Sequence, residues 1–229
     1  MKKLIQIIFA LSLTVTINAQ WTKLNPFHGG SMSSFVVSGS NIFAGVYGAG
    51  VFLSTNNGST WEAVNNLLFS KNVQSLHVFN NFLFASTNSG PCRSSDNGKN
   101  WSYTPNGLAS NDVRSIKNIS NNLFAATAGG VFISTNNGSN WSAVNNGLTV
   151  QNVNCLAVSG TNLFAGTTNG IFISTNNGSS WTGISTGLTN TSIKDIVVSG
   201  SNFFAATWGG GVFHSTNNGS SWTAKNNGL

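Results

Sequence analysis

One short pattern constrains this chain more than anything else in it. The stretch Ser54-Thr55-Asn56-Asn57-Gly58-Ser59-Thr60-Trp61 returns in close variants at residues 94–101, 134–141, 174–181 and 215–222, so that the tryptophans stand 40, 40, 40 and 41 residues apart. A fixed period of this size means that one supersecondary unit is copied, each copy too small to bury its own apolar face and obliged to stack on the next. Residues that recur in every copy serve the scaffold, so ligand-directed chemistry must be sought where the copies differ.

Aligned on the pattern, one copy holds four short β-branched and aromatic runs, residues 152–158, 162–166, 171–173 and 181–184, separated by Gly, Asn and Ser and free of helical periodicity. Named A to D, they predict an all-β chain, a β-propeller of four-stranded antiparallel blades with five blades visible. Strand B carries the strongest core signal, with Phe43-Ala44, Phe84-Ala85, Phe124-Ala125, Phe164-Ala165 and Phe204-Ala205 alternating large and small. Strand C repeats it except in the second copy, where Pro91-Cys92-Arg93 removes a ladder donor and a Phe, which predicts the least regular blade there.

The repeated pattern itself fits the C-to-D turn. Ser54, Ser94, Ser134, Ser174 and Ser215 with Asn56, Asp96, Asn136, Asn176 and Asn217 can bond nearby backbone amides. Gly58, Gly98, Gly138, Gly178 and Gly219 supply a positive φ, and Trp61, Trp101, Trp141, Trp181 and Trp222 seal the turn against their own or the adjoining sheet.

This Ser-x-Asn/Asp-x-Gly-x-x-Trp box resembles the Asp-box, or BNR, repeat, and the resemblance covers essentially all of residues 21–229. Asp-box propellers occur in sialidases, xyloglucan-degrading enzymes, sortilin/Vps10 receptors, Ycf48-like photosystem assembly factors and exported bacterial proteins. The resemblance therefore implies a fold and leaves function open. Asp stands in one box only, as Asp96, which argues against the boxes as metal loops, since hard cations favour several carboxylates.

Residues 1–19 read as a signal peptide: Lys2 and Lys3, an apolar run from Leu4 to Val15, then Ile17-Asn18-Ala19 before a mature start near Gln20. A secreted or cell-surface location follows, with the periplasm as a further possibility. No apolar run is long enough to insert in a membrane. Without the signal, eight basic and four acidic residues remain, a net charge near +4 in a chain only 6% charged. The basic residues are scattered rather than clustered, which argues against nucleic acid. Cys92 and Cys155 lie in different repeats at different strand positions and read as small buried thiols, not a disulfide.

The ends pose a counting problem. Trp21-Thr22-Lys23-Leu24 resembles an extra N-terminal strand D, and Asn227-Gly228-Leu229 matches Asn146-Gly147-Leu148, where another repeat begins. Either five blades close into a compact ring with a spare strand, or the sequence is a fragment of a larger propeller; exposed strand edges in an unclosed ring favour the fragment.

Glycosidase chemistry needs a pair of acidic groups across the scissile bond. The chain offers Glu62, Asp96, Asp112 and Asp195. Glu62 and Asp96 belong to the box and outer strand, whereas Asp112 and Asp195 stand near the starts of two A strands, two blades apart. Sialidase chemistry would also need an arginine cluster, and only Arg93 and Arg114 are present. His28, His77 and His214 occupy unrelated repeat positions, giving no metal spacing. No metal and no cofactor are expected.

Copies diverge on the face opposite the boxes, formed by B-to-C and D-to-A loops. The B-to-C loops of the first and fifth copies are one residue longer and carry Tyr47 and Trp208 where the others have Asn88, Ala128 and Thr168. Such aromatics can stack on sugar rings, anchor a protein or plug a channel. Two polar rows near the start of strand A, Ser33, Gln74, Arg114, Asn154, Lys194 and Ser34, Ser75, Ser115, Cys155, Asp195, place one row on a central channel, with Lys117 and His77 adding to a mildly basic rim. The expectation is an exported, non-catalytic module, monomeric unless an open edge pairs, binding a glycan or protein at Tyr47, Trp208, Arg114, Lys194, His77, Asp195 and Asp112. The alternative is a glycoside hydrolase-like enzyme, a sialidase or xyloglucanase relative, with an incomplete active site.

Overall fold

The computed structural model describes residues 30–229, and these form five four-stranded sheets, each in the sequential order A-B-C-D. Blade 1 comprises β1 (Ser31–Ser38), β2 (Asn41–Tyr47), β3 (Gly50–Ser54) and β4 (Glu62–Ala63). Blade 2 follows with β5 (Val73–Phe79), β6 (Phe82–Thr87), β7 (Cys92–Ser94) and β8 (Ser102–Tyr103). Blade 3 is β9 (Val113–Ile119), β10 (Asn122–Thr127), β11 (Gly130–Ser134) and β12 (Ser142–Ala143). Blade 4 is β13 (Val153–Ser159), β14 (Asn162–Thr167), β15 (Gly170–Ser174) and β16 (Thr182–Gly183), and blade 5 is β17 (Ile193–Ser199), β18 (Asn202–Thr207), β19 (Gly211–Ser215) and β20 (Thr223–Ala224). The assigned signal peptide and the extra strand at residues 21–24 lie outside the described residues.

Successive blades stack face to face. In each joint a large residue of one B strand meets the A, B and C strands of the next: Phe164 packs with Ile193, Ile196, Phe203 and Phe213, and Phe124 with Leu156, Leu163 and Phe172. Blade 2 is the irregular one, as its sequence predicts. Its β7 has three residues where β3, β11, β15 and β19 have five. Cys92 replaces the usual Phe, and Tyr103 stacks on Phe69 with ring centroids 4.2 Å apart beside it.

The box is a turn built on acceptor oxygens. Ser94 Oγ accepts from the Gly98 amide at 2.9 Å and donates to Asp96 Oδ1 at 2.7 Å, while Asp96 accepts from the amide and side chain of Asn100. These bonds hold the Asp96 carboxyl down at about 2, the Asn100 side chain contributing most. Asn56, Asn136, Asn176 and Asn217 make the same Oδ1 contacts without charge. The turn thus needs an acceptor rather than an anion, which is why Asn substitutes for Asp.

The box Trp of blades 2 to 5 closes the joint behind it, not its own sheet, whereas Trp61 of blade 1 donates to the Gly58 carbonyl of its own box. The indole N–H of Trp101, Trp141, Trp181 and Trp222 donates to the carbonyl of Val64, Thr104, Val144 and Ile184 respectively, on the D strand of the preceding blade. Their backbone N–H groups bond the same segments two residues on, at Asn66, Asn106, Asn146 and Thr186.

Among the described residues the expected alternative of a closed five-blade ring is not seen. A strands of consecutive blades pack side by side from β1 through β17, but β17 does not pack on β1 in this way. Phe35 and Val197, whose counterparts Leu76 and Ala157 are buried, are 57% and 55% exposed. Among the described residues the blades make an open arc with a gap between blades 5 and 1.

Candidate functional site

Strand A carries the site because it is not a regular strand. Apolar residues that face one side of a pleated strand recur every second position, yet here they are three apart: Val73 and Leu76, Val113 and Ile116, Val153 and Leu156, Ile193 and Ile196. The odd step is a β-bulge. Pairing to strand B slips between Met32 and Ser34, Val73 and Ser75, Val153 and Cys155, and Ile193 and Asp195, and opposite Ala126 and Thr127 in blade 3. The skipped residues are Ser33, Gln74, Arg114, Asn154 and Lys194. A bulge re-aims one side chain without disturbing the strand beyond it, and all five point into a central cavity of about 1070 Å³. The cavity is at the upper end of the roughly 300–1,000 Å³ usual for ligand pockets.

Both polar rows, not one, line this cavity, together with Lys117, Asn152, Tyr47 and Trp208. Four bulge residues double as ties to the next blade. Ser33 Oγ donates to the Val73 carbonyl at 2.8 Å, Gln74 Nε2 to Asp112 Oδ1 at 2.6 Å, and Asn154 Nδ2 to the Ile193 carbonyl at 2.6 Å. Arg114 is the most committed, donating to Asn152, Asn154 and the Val153 carbonyl and forming the salt bridge to Asp112 at 2.8 Å. Lys194, the fifth, ties to no other blade among the described residues. Its ammonium lies over the Trp208 ring instead, 4.8 Å from the centroid.

Several sequence-predicted residues are placed differently by this geometry. His77 is not on the rim: its Nε2 bonds Asn118 of blade 3 at 3.0 Å, inside the joint, and burial followed by the charge of Lys117 lowers it to about 4. Lys117, at the same repeat position, does line the cavity. Asp112 and Asp195 are not brought together as a pair. Asp112 is taken up by Arg114 and Gln74, and Asp195 accepts from the Ile196 amide. His214 stacks on Phe204 and bonds Asn202. Cys155 lines the cavity, yet burial first and the Asp195 charge second push its thiol up to about 12, which removes it as a nucleophile. Cys92 is likewise buried and free. Among the described residues no three His, Cys, Asp or Glu gather as a metal site, and no helix is long and apolar enough to cross a membrane.

Tyr47 and Trp208 occupy equivalent positions, each heading a three-residue B-to-C turn, since Val46 pairs Gly50 and Thr207 pairs Gly211 where Thr167 pairs Gly170. They are 46% and 62% exposed. As blades 1 and 5 bound the gap, the two rings stand on either side of it at the cavity mouth.

A family model described as the DUF6242 beta propeller domain matches residues 102–188, less than half of the chain. No curated protein matches. Among solved structures, the chain is similar to an ancestral GH74 enzyme at 22% identity and a TM-score of 0.71, covering 91% of this chain and 33% of that one. It is similar to the extracellular domain of a putative one-component system from B. thetaiotaomicron at 19% identity and a TM-score of 0.69, covering 81% and 27%. A third is YCF48 bound to D1 peptide, 16% identical with a TM-score of 0.67, covering 90% and 70%. The chain thus spans a third or less of the length of the first two. These structures belong to an enzyme, the extracellular domain of a putative one-component system and a peptide-bound protein, so the likeness carries the fold across and not the activity: the chain is a β-propeller.

Proposed function

We propose that this protein is an exported, non-catalytic binding module that takes an oligosaccharide across the cavity mouth, between Tyr47 and Trp208. The observation that carries the reading is the pair of exposed rings, at the same repeat position on the two blades that bound the gap, above a cavity lined by Gln74, Asn152 and Asn154. Aromatic faces stack on the C–H faces of sugars, and side-chain amides bond hydroxyls in either direction. Hydrolysis is disfavoured by the fate of the acids: Asp112 is spent on Arg114, and a retaining or inverting mechanism needs two available carboxyls roughly 5–10 Å apart. Export rests on residues 1–19.

The test is a glycan-array screen of the purified protein beside Tyr47→Ala and Trp208→Ala, both exposed positions where the fold should survive. Binding that weakens at least tenfold in each variant supports the reading. A folded wild type that binds no glycan ends it. A peptide is the second reading, favoured by the similarity to YCF48 bound to D1 peptide; a peptide array run on the same three proteins would show binding where the glycan array is blank.

A further inference from the structure

The four inner bulge residues explain why the fifth matters. Ser33, Gln74, Arg114 and Asn154 each use a donor to tie a neighbouring blade. Lys194 has the same place on its strand and the same aim, but among the described residues it ties no other blade, and its exposed ammonium lies over Trp208. The cations on the cavity wall are Arg114, Lys117 and Lys194. Among the described residues the single salt bridge is Arg114 to Asp112, so Lys117 and Lys194 face the cavity without a carboxylate bonded to them. Asp195 offsets one of these charges and is itself turned to the Ile196 amide.

A neutral glycan would leave both ammonium groups to water. An acidic one would not. We infer that the ligand is an oligosaccharide bearing carboxylates, a uronate-containing chain, with one sugar stacked on Trp208 and its carboxylate on Lys194 Nζ, and Lys117 receiving a second carboxylate deeper in the cavity. This rests on the carbohydrate reading above and names the class of sugar it leaves open. An ammonium already poised beside an indole recognises both halves of such a sugar at once, the ring by contact and the acid by charge-assisted hydrogen bonding. Two of the cavity's cations lie outside any salt bridge among the described residues, so the attraction is local and should be screened by salt.

The experiment is calorimetric titration of the purified protein with oligogalacturonate and with its fully methyl-esterified form, which keeps the sugar rings and removes the charge. Affinity for the acid form should exceed that for the ester at least tenfold at low salt, and the advantage should shrink as salt rises. Lys194→Gln should remove most of the advantage and leave the share carried by Lys117, while Lys99→Gln, an exposed change on a box turn, leaves the advantage intact. Equal binding of acid and ester overturns this inference and leaves the carbohydrate reading standing. Loss of the advantage in Lys99→Gln as well overturns it too, because the attraction would then be diffuse. Binding of neither form, with a blank glycan array, removes the carbohydrate reading itself.

Discussion

The joint between blades 3 and 4 and the gap between blades 5 and 1 present the same repeat positions in opposite circumstances. In the joint, Phe124 is fully buried against Leu156 and Phe172. At the gap its counterpart Phe204 is 38% exposed and leans on His214. Leu156 is buried at 1%, and its counterpart Phe35 is 57% exposed. Asn154 ties its blade to the next through the Ile193 carbonyl, and its counterpart Lys194 ties nothing. The repeat therefore supplies stability only where two copies meet. Where they do not meet, residues of the same origin are left exposed.

The largest effect that would sharpen this contrast is truncation of the two phenylalanines. Phe124→Ala should lower stability by about 3–5 kcal/mol, in the range for a buried Phe, and Phe204→Ala by half as much, about 1.5–2.5 kcal/mol, because more than a third of its surface is already in water. Urea denaturation of both variants checks this, and equal losses would break the comparison.

Acid comes next and acts on a joint alone. His77 is held neutral between blades 2 and 3, at about 4 against an ordinary 6.5. The unfolded chain takes up the proton first as pH falls, so this contribution is whole above pH 6.5 and is lost as pH drops through 6.5 toward 4. One pKa unit is about 1.4 kcal/mol, so the loss should approach 3 kcal/mol. Stability measured from pH 7 to 4 should show this slope in wild type and not in His77→Leu.

A single inter-blade tie is smaller still. Asn154→Ala should cost about 1 kcal/mol for one side-chain hydrogen bond, whereas Lys194→Ala, at the gap, should leave the urea midpoint unmoved. Smallest is a repair. Leu67 sits at φ 60° where the equivalent Gly107, Gly147 and Gly187 have φ of 80–90°. Leu67→Gly should raise stability by about 0.5–1 kcal/mol, since a left-handed conformation is strained for leucine and free for glycine; an unchanged or lower thermal midpoint would contradict it.

Most of the architecture was legible because it is local and repeated. The box announces its turn through Ser, Asn and Gly, strand B through Phe-Ala, and the irregular blade through Pro91 and Cys92. The direction of the tryptophans was not, since Trp141 bonds a carbonyl 37 residues earlier and only the stacked blades bring the two together. For the site, the polar row and the pairing of Tyr47 with Trp208 could be read from alignment. The bulge that aims the row was visible too, as the step of three between Val153 and Leu156, a break in a period-2 pattern that signals an inserted residue. His77 was misplaced because register alone does not say how far a side chain reaches.

The central claim is that a ligand binds where the repeat is released from its structural duty, and the indole protons can test it directly. Each of Trp101, Trp141, Trp181 and Trp222 donates its N–H to a neighbouring blade, while Trp208 is exposed under Lys194. In a ¹⁵N-labelled protein with Trp208 assigned by Trp208→Phe, titration with oligogalacturonate should shift the Trp208 indole resonance and leave those of the four box tryptophans in place. Saturable binding that leaves Trp208 unmoved, or that moves the box tryptophans instead, would contradict the account.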